Sequence, residues 1–268
     1  MNIIFAALTA TILYLLCTLG LLLHLRHQSS LKNLSKPMLL APGFVALSAH
    51  IFILYSTMIS PVGINFSFYS SLSLISASIA LLTLLSSVRH PIEIMGIIVL
   101  PIAAATIIID TLQSTSNVII TGSSNGLLFH IISSIIAYSI LGLAAVHAVV
   151  LSIQNRFLHR HQPGGFIRFL PPLKTMESLL FEIIIIGFVG LSISLASGFI
   201  FLENIFAQHL VHKTTLSMFA WIVFAILLFG HWFIGWRGRT AVRWTLGGFF
   251  SLMLAYFGSK FVLEVLLK

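Results

Sequence analysis

The chain has 268 residues, of which 58% are hydrophobic and only 7% charged. A water-soluble domain carries about 25% charged residues, so this composition excludes a soluble protein and specifies an integral membrane protein. The formal net charge of +8 does not signal nucleic acid, because the Lys and Arg residues sit in short loops between apolar runs. There is no basic block interleaved with aromatics and no zinc or P-loop spacing.

A spanning helix needs about 20 apolar residues. Runs of that order occur, in chain order, at Asn2–Leu23, Pro37–Ile59, Phe66–Val88, Ile92–Ile109, Leu127–Ile153, Ser178–Leu202, Thr215–Gly235 and Ala241–Leu267. The fold class expected is all-α: one transmembrane domain over residues 1–268, a bundle of about eight helices. The first run lacks the basic n-region of a signal peptide and exceeds the usual h-region, so it is expected to be a retained helix. It holds Cys17, the only cysteine, which excludes intramolecular disulfides, CxxC chemistry and thiolate metal clusters. Pro101 lies inside the fourth run and removes a backbone donor there.

The loops set the expected orientation. Arg26, Lys32 and Lys36 follow the first run, Arg89 the third, Arg156, Arg160, Arg168 and Lys174 the fifth, and Arg237, Arg239 and Arg243 the seventh. Eleven of the 14 basic residues thus fall on one side, which should be cytoplasmic, with both termini on the other. The longest external segment, "DTLQSTSNVIITGSSNG", has no basic residue and reads as a polar loop. No internal repeat suggests the inverted halves of a transporter.

Eleven histidines stand out in a chain that avoids charge. His24, His27, His90, His159 and His161 belong to the basic loops and read as solvated. At a rise of about 1.5 Å per residue, the rest fall into tiers. His130, at the external start of the fifth run, lies level with His209 and His212, just before the seventh. His147 and His231 lie at the cytoplasmic side, and His50 lies between. Neutral imidazole ligates iron, zinc and copper, and haem iron takes axial histidines from separate helices. A spacing of three can bring His209 and His212 to one helical face. The six carboxylates all lie near predicted interfaces, which disfavours an ion-coupled carrier or pump. No GxSxG-type motif supports hydrolytic catalysis.

The carboxyl third, "HKTTLSMFAWIVFAILL" followed by "GWRGRTAVRWTLGGFFSLMLAYFGSK", resembles the cytochrome c assembly (CcsA/HemX-like) family of membrane haem-handling proteins, in particular its short YpjD-type inner-membrane branch. The family's lysine before helix 7, its tryptophan in that helix, its GW-(R)-G-R turn and its YFG fall on Lys213, Trp221, Gly235–Arg239 and Tyr256–Gly258. In "LLFHIISSIIAYSILGLAAVHAVVL", His130 precedes Tyr138 by the family's eight residues. The resemblance covers about residues 127–265. It implies an external haem site framed by a tryptophan-rich WWD segment and two flanking histidines, with His130 as the first. Here the loop before Lys213 reads "FAQHLVHK", without tryptophan, and no histidine follows the YFG. The implied role is therefore haem handling without the ligase machinery, with no catalytic residue assigned.

The leading expectation is a multi-pass bacterial inner-membrane protein that binds haem at its external face. His130 and His212 are the candidate axial ligands, with His209 as a substitute. Lys213, Arg237 and Arg239 are candidates for the propionates, Trp221 is a family landmark, and His147 with His231 form a candidate entry site. Expected partners are the lipid bilayer, haem and cytochrome c assembly or other membrane proteins. Two alternatives stand beside it: an accessory or regulatory membrane protein acting through its basic loops, and a small-solute or metal-ion transporter with His50, His147 and His231 along its path.

Overall fold

A computed structural model describes residues 3–25, 35–60, 63–90, 92–113, 119–120, 125–159, 170–201, 208–258 and 261. Among these, the helices are α1 (Ile3–Leu25), α2 (Lys36–Met58), α3 (Phe68–Arg89), α4 (Glu93–Leu112), α5 (Asn125–His159), α6 (Leu173–Phe201), α7 (Gln208–Phe229) and α8 (Gly238–Met253). Helix α7 runs on into a π-helical turn at Gly230–Ile234, and α8 into another at Leu254–Gly258. Among the described residues, seven helices are long and apolar enough to cross a membrane. The eighth run differs from expectation: its α-helical part has 16 residues, and most of the chain beyond Gly258 lies outside the described residues. Apolar side chains cover the outside, as with Phe5 at 65% and Ile200 at 72% exposure. Lipid accepts such a surface where water would not.

Helix boundaries follow local chemistry. Pro37 occupies the first turn of α2 behind Ser35, where a missing N–H costs nothing. Ser67 caps α3, its side chain accepting from the Ser70 N–H, as short polar side chains do at this position. Helix α4 continues through Pro101.

The chain divides into two compact units: Met1–Thr121 with Arg168–Pro171, and Gly122–Ile167 with Pro172–Lys268. In the first unit α1 packs on α2 and α4, and α3 packs on the same two helices. The Lys36 ammonium holds Glu93 at 2.6 Å and donates to the His90 carbonyl at 2.7 Å, tying the start of α2 to the α3–α4 turn. At the other end lies a small antiparallel sheet that no period-two pattern foretold. It consists of β1 (Ile59–Ser60), β2 (Gly63–Asn65) and β3 (Ile119–Ile120), with Ile59 opposite Ile64 and Ile64 opposite Ile120. Beyond the helix ends the backbone must find new partners for its N–H and C=O groups, and short isoleucine-containing segments supply them. The polar segment after α4, expected as a loop, therefore contains a strand.

In the second unit α5 packs on α6 and α8, and α7 packs on α6 and α8. Close approach of α5 and α6 depends on Gly187: a Cβ there would sit 2.6 Å from Leu141 Cδ2.

Candidate functional site

Helix α5 has 35 residues, about 52 Å at 1.5 Å per residue, well over the roughly 30 Å hydrocarbon core. His130 lies near its start and His147 some 26 Å further along by the same rise. The two histidines thus mark opposite ends of the second unit, as the tier reading expected.

At the starting end, the His130 Nδ1 lies 2.9 Å from the Ser194 carbonyl oxygen and 3.1 Å from Ser197 Oγ. The Ser197 hydroxyl donates to that same carbonyl at 2.8 Å. A carbonyl oxygen only accepts, so Nδ1 is the nitrogen that carries the hydrogen. The lone pair is left on Nε2, the arrangement by which a backbone carbonyl orients a ligating imidazole. Ser134 strengthens the seam, its hydroxyl donating to the His130 carbonyl at 2.6 Å and lying 2.6 Å from Ser194 Oγ. His130 is half-buried.

Helix α7 is fixed to α6 by Trp221. Its indole N–H donates to Ser192 Oγ at 2.9 Å, and its ring stacks on Phe188 at 5.3 Å between centroids. Upstream on α7, His212 is exposed and Lys213 half-buried. The side chain of His209 lies outside the described residues. His130 and His212 share an end of the unit, because α6 finishes where His130 holds it and α7 starts after it. Among the described residues no three His, Cys, Asp or Glu side chains converge into a metal-ion cluster.

Deeper at this end, Tyr138 is buried against Phe249, Tyr256 and Phe257, with ring centroids 5.3, 6.1 and 5.8 Å away. Tyr256 and Phe257 lie on the second π-helical turn. Two sequence landmarks more than a hundred residues apart, the His130–Tyr138 helix and the YFG, therefore meet in one aromatic cluster. A π turn inserts a residue and re-aims side chains, which no spacing rule could register.

At the opposite end, both inner histidines rest on the first turns of α6. The fully buried His147 donates through Nε2 to the Met176 carbonyl at 2.9 Å, and its Nδ1 has no hydrogen-bond partner among the described residues. His231, on the first π-helical turn, stacks on Phe181 with centroids 3.5 Å apart and donates from Nδ1 to the Trp236 carbonyl at 3.1 Å. Gly235, at φ +77°, lets the chain reverse after this turn, a conformation that other residues adopt at a cost. Arg237, on the same connection, and Arg239, in the first turn of α8, are exposed. They belong with His147 and His231, at the end away from His130, and the structure does not bring them to the outer tier. Ser192, Ser194, Ser197, Phe181 and Phe188 all escaped the sequence reading, since a serine or phenylalanine in an apolar helix carries no signal until its neighbour is known.

A family model described as "Cytochrome C assembly protein" matches residues 38–267, extending well upstream of the stretch that carries the sequence resemblance. The inner membrane protein YpjD of Escherichia coli (strain K12) is 34% identical over 208 residues, covering 76% of this chain and 77% of that protein. The cytochrome c biogenesis protein CcsA of Prochlorococcus marinus (strain MIT 9515) is 25% identical over 225 residues, covering 72% and 71%. The CcsA of Chlamydomonas reinhardtii is 26% identical over 155 residues, covering 57% of this chain and 43% of its own length. No solved structure gives a significant match.

Proposed function

The chain belongs to the cytochrome c assembly protein family, and on that premise we propose that it is a multi-pass bacterial inner-membrane protein that binds and positions haem at the His130 end of its second unit. The observation that carries this reading is the bond from His130 Nδ1 to the Ser194 carbonyl. It fixes the ring and presents Nε2 as a neutral donor, which suits the donor set haem iron takes from histidine. His212, exposed at the start of α7, is the candidate for the second axial position, and His209 is its alternate. Lys213 at the same end is the cation for a propionate. Bound there, haem would supply a redox-active iron, while the chain would supply the oriented imidazole and the cation.

The His147–His231 end is the second candidate, an entry site with Arg237 and Arg239 available for carboxylates. By the distribution of basic residues, that end faces the cytoplasm and both termini lie on the other side. The relatives, an inner membrane protein and cytochrome c biogenesis proteins, support a place in the inner membrane and in this process.

The test is the optical spectrum of the purified protein with and without added haem. A Soret band is expected from the wild type, and its loss from the His130→Ala/His212→Ala double variant. A wild type without a Soret band, or a band unchanged in the double variant, refutes the reading.

A further inference from the structure

The first unit carries polar chemistry that haem handling does not use. His50, in the middle of α2, is fully buried, with Nε2 lying 2.9 Å from Ser73 Oγ on α3 and Nδ1 3.4 Å from the Tyr14 hydroxyl on α1. Asp110, in the last turn of α4, is also buried. Its Oδ1 accepts from the Ser70 hydroxyl at 2.8 Å, while Oδ2 has no hydrogen-bond partner among the described residues. Ser67 donates to Ser70 Oγ at 3.0 Å. Positions 70 and 73 are one i,i+3 step apart on α3, a distance of about 5–6 Å between Cβ atoms. Two ionisable side chains are thus buried inside membrane-spanning helices, each bonded to a hydroxyl of α3, and such intramembrane groups mark functional paths.

The partners of His50 set it apart from the other histidines. His130, His147 and His231 each face a backbone carbonyl, which only accepts and so locks one tautomer. A hydroxyl both donates and accepts, so the two hydroxyls of Ser73 and Tyr14 leave His50 free to carry its hydrogen on either nitrogen. The ionisable groups facing this track are Tyr14 and Cys17 from α1 and Asp110 from α4. Those of the opposite end are Arg89, His90, Lys36 and Glu93, the last two paired. In that direction the buried hydroxyls continue, Ser76 lying one further i,i+3 step along α3 against Thr106 on α4.

We propose that the first unit contains a proton-exchange site, in which His50 takes up and releases a proton through Ser73, Ser70 and Asp110 from the end where α4 finishes. The transfer balances without any co-reactant. For this the Asp110 carboxyl, which accepts from Ser70 at rest, turns to donate its proton to the Ser70 oxygen. The Ser70 hydrogen passes to a water placed between the two hydroxyls, and that water gives one of its hydrogens to the Ser73 oxygen. The Ser73 hydrogen then bonds to His50 Nε2. Each hydroxyl loses one hydrogen and gains one, leaving a carboxylate at Asp110 and an imidazolium at His50, and solvent then reprotonates Asp110.

The test uses the full chain in lipid nanodiscs with nitrogen-15-labelled histidine, the His50 signals being assigned by their absence in His50→Gln. Nitrogen NMR should show His50 with its hydrogen on both nitrogens in exchange, and His130 and His147 each with one tautomer. After transfer to D2O, exchange at the His50 ring should slow to the rate of the buried His147 in Asp110→Asn and in Ser70→Ala. The serine variant removes only a hydroxyl and keeps the test valid if the aspartate variant does not fold. A single fixed tautomer at His50, or an exchange rate unchanged in Ser70→Ala, overturns the proposal.

Discussion

Tyr138→Phe offers a stability test whose sign is fixed by the structure. The Tyr138 ring packs on Phe249, Tyr256 and Phe257 at 5.3 to 6.1 Å, while its hydroxyl is buried without a hydrogen-bond partner among the described residues. Phenylalanine keeps all three ring contacts, each worth about 0.5–1.5 kcal/mol, and removes only the hydroxyl. A buried polar group left unsatisfied costs about 1–3 kcal/mol, so its removal should stabilise the protein, by about 1 kcal/mol in a membrane where water-to-lipid transfer adds little. Tyr138→Ala removes the ring as well and should destabilise by an amount towards the lower end of the roughly 3–5 kcal/mol seen for large aromatic truncations. Reversible unfolding in bicelles by added detergent, followed by circular dichroism, measures both variants. If Tyr138→Phe destabilises the protein by about 1 kcal/mol or more, the hydroxyl is making a bond and the picture of the cluster as a purely apolar contact is wrong.

Trp221→Phe removes the 2.9 Å bond to Ser192 while keeping a ring on Phe188. Interhelical bonds in membranes average about 0.6 kcal/mol and reach about 1.7, so a loss in that range is expected, with the same coupling energy in a double-mutant cycle against Ser192→Ala. Independent, additive effects would show that the bond contributes nothing. Gly187→Val places a Cβ 2.6 Å from Leu141 Cδ2, and overpacking of a tight interface costs about 1–3 kcal/mol. The same unfolding assay should show that loss, whereas Gly247→Ala, whose Cβ would meet nothing within 4 Å, should fold as the wild type does apart from a small propensity change.

Much of the site could be read before folding was considered. Placing His130 and His147 at opposite ends needed only the helical rise, and both proved to lie on the one long helix. Which nitrogen of His130 is available was invisible, since it depends on the Ser194 carbonyl, 64 residues away. His147 and His231 read as one tier; that both rest on α6, at Met176 and Phe181, emerged only in three dimensions. Arg237 and Arg239 are propionate candidates by their chemistry, and their place between His231 and the first turn of α8 sets them at the end away from His130. Asp110 read as an interfacial carboxylate. Its position in the last turn of α4 fits that reading, but the packing of Ser70 against it makes it a buried group.

The sequence alone determined that the chain is a bundle of membrane helices. In lipid every backbone N–H and C=O must be satisfied within the chain, so apolar runs of sufficient length leave the helix as their form. The tertiary structure decided which helix faces which, and with that the hydrogen-bond partner of each buried histidine. A carbonyl partner locks the ring and a hydroxyl leaves it able to exchange, so the same residue type becomes a poised donor at position 130 and a candidate proton carrier at position 50. That difference belongs to the neighbouring helix rather than to the histidine, and no local pattern around either residue contains it.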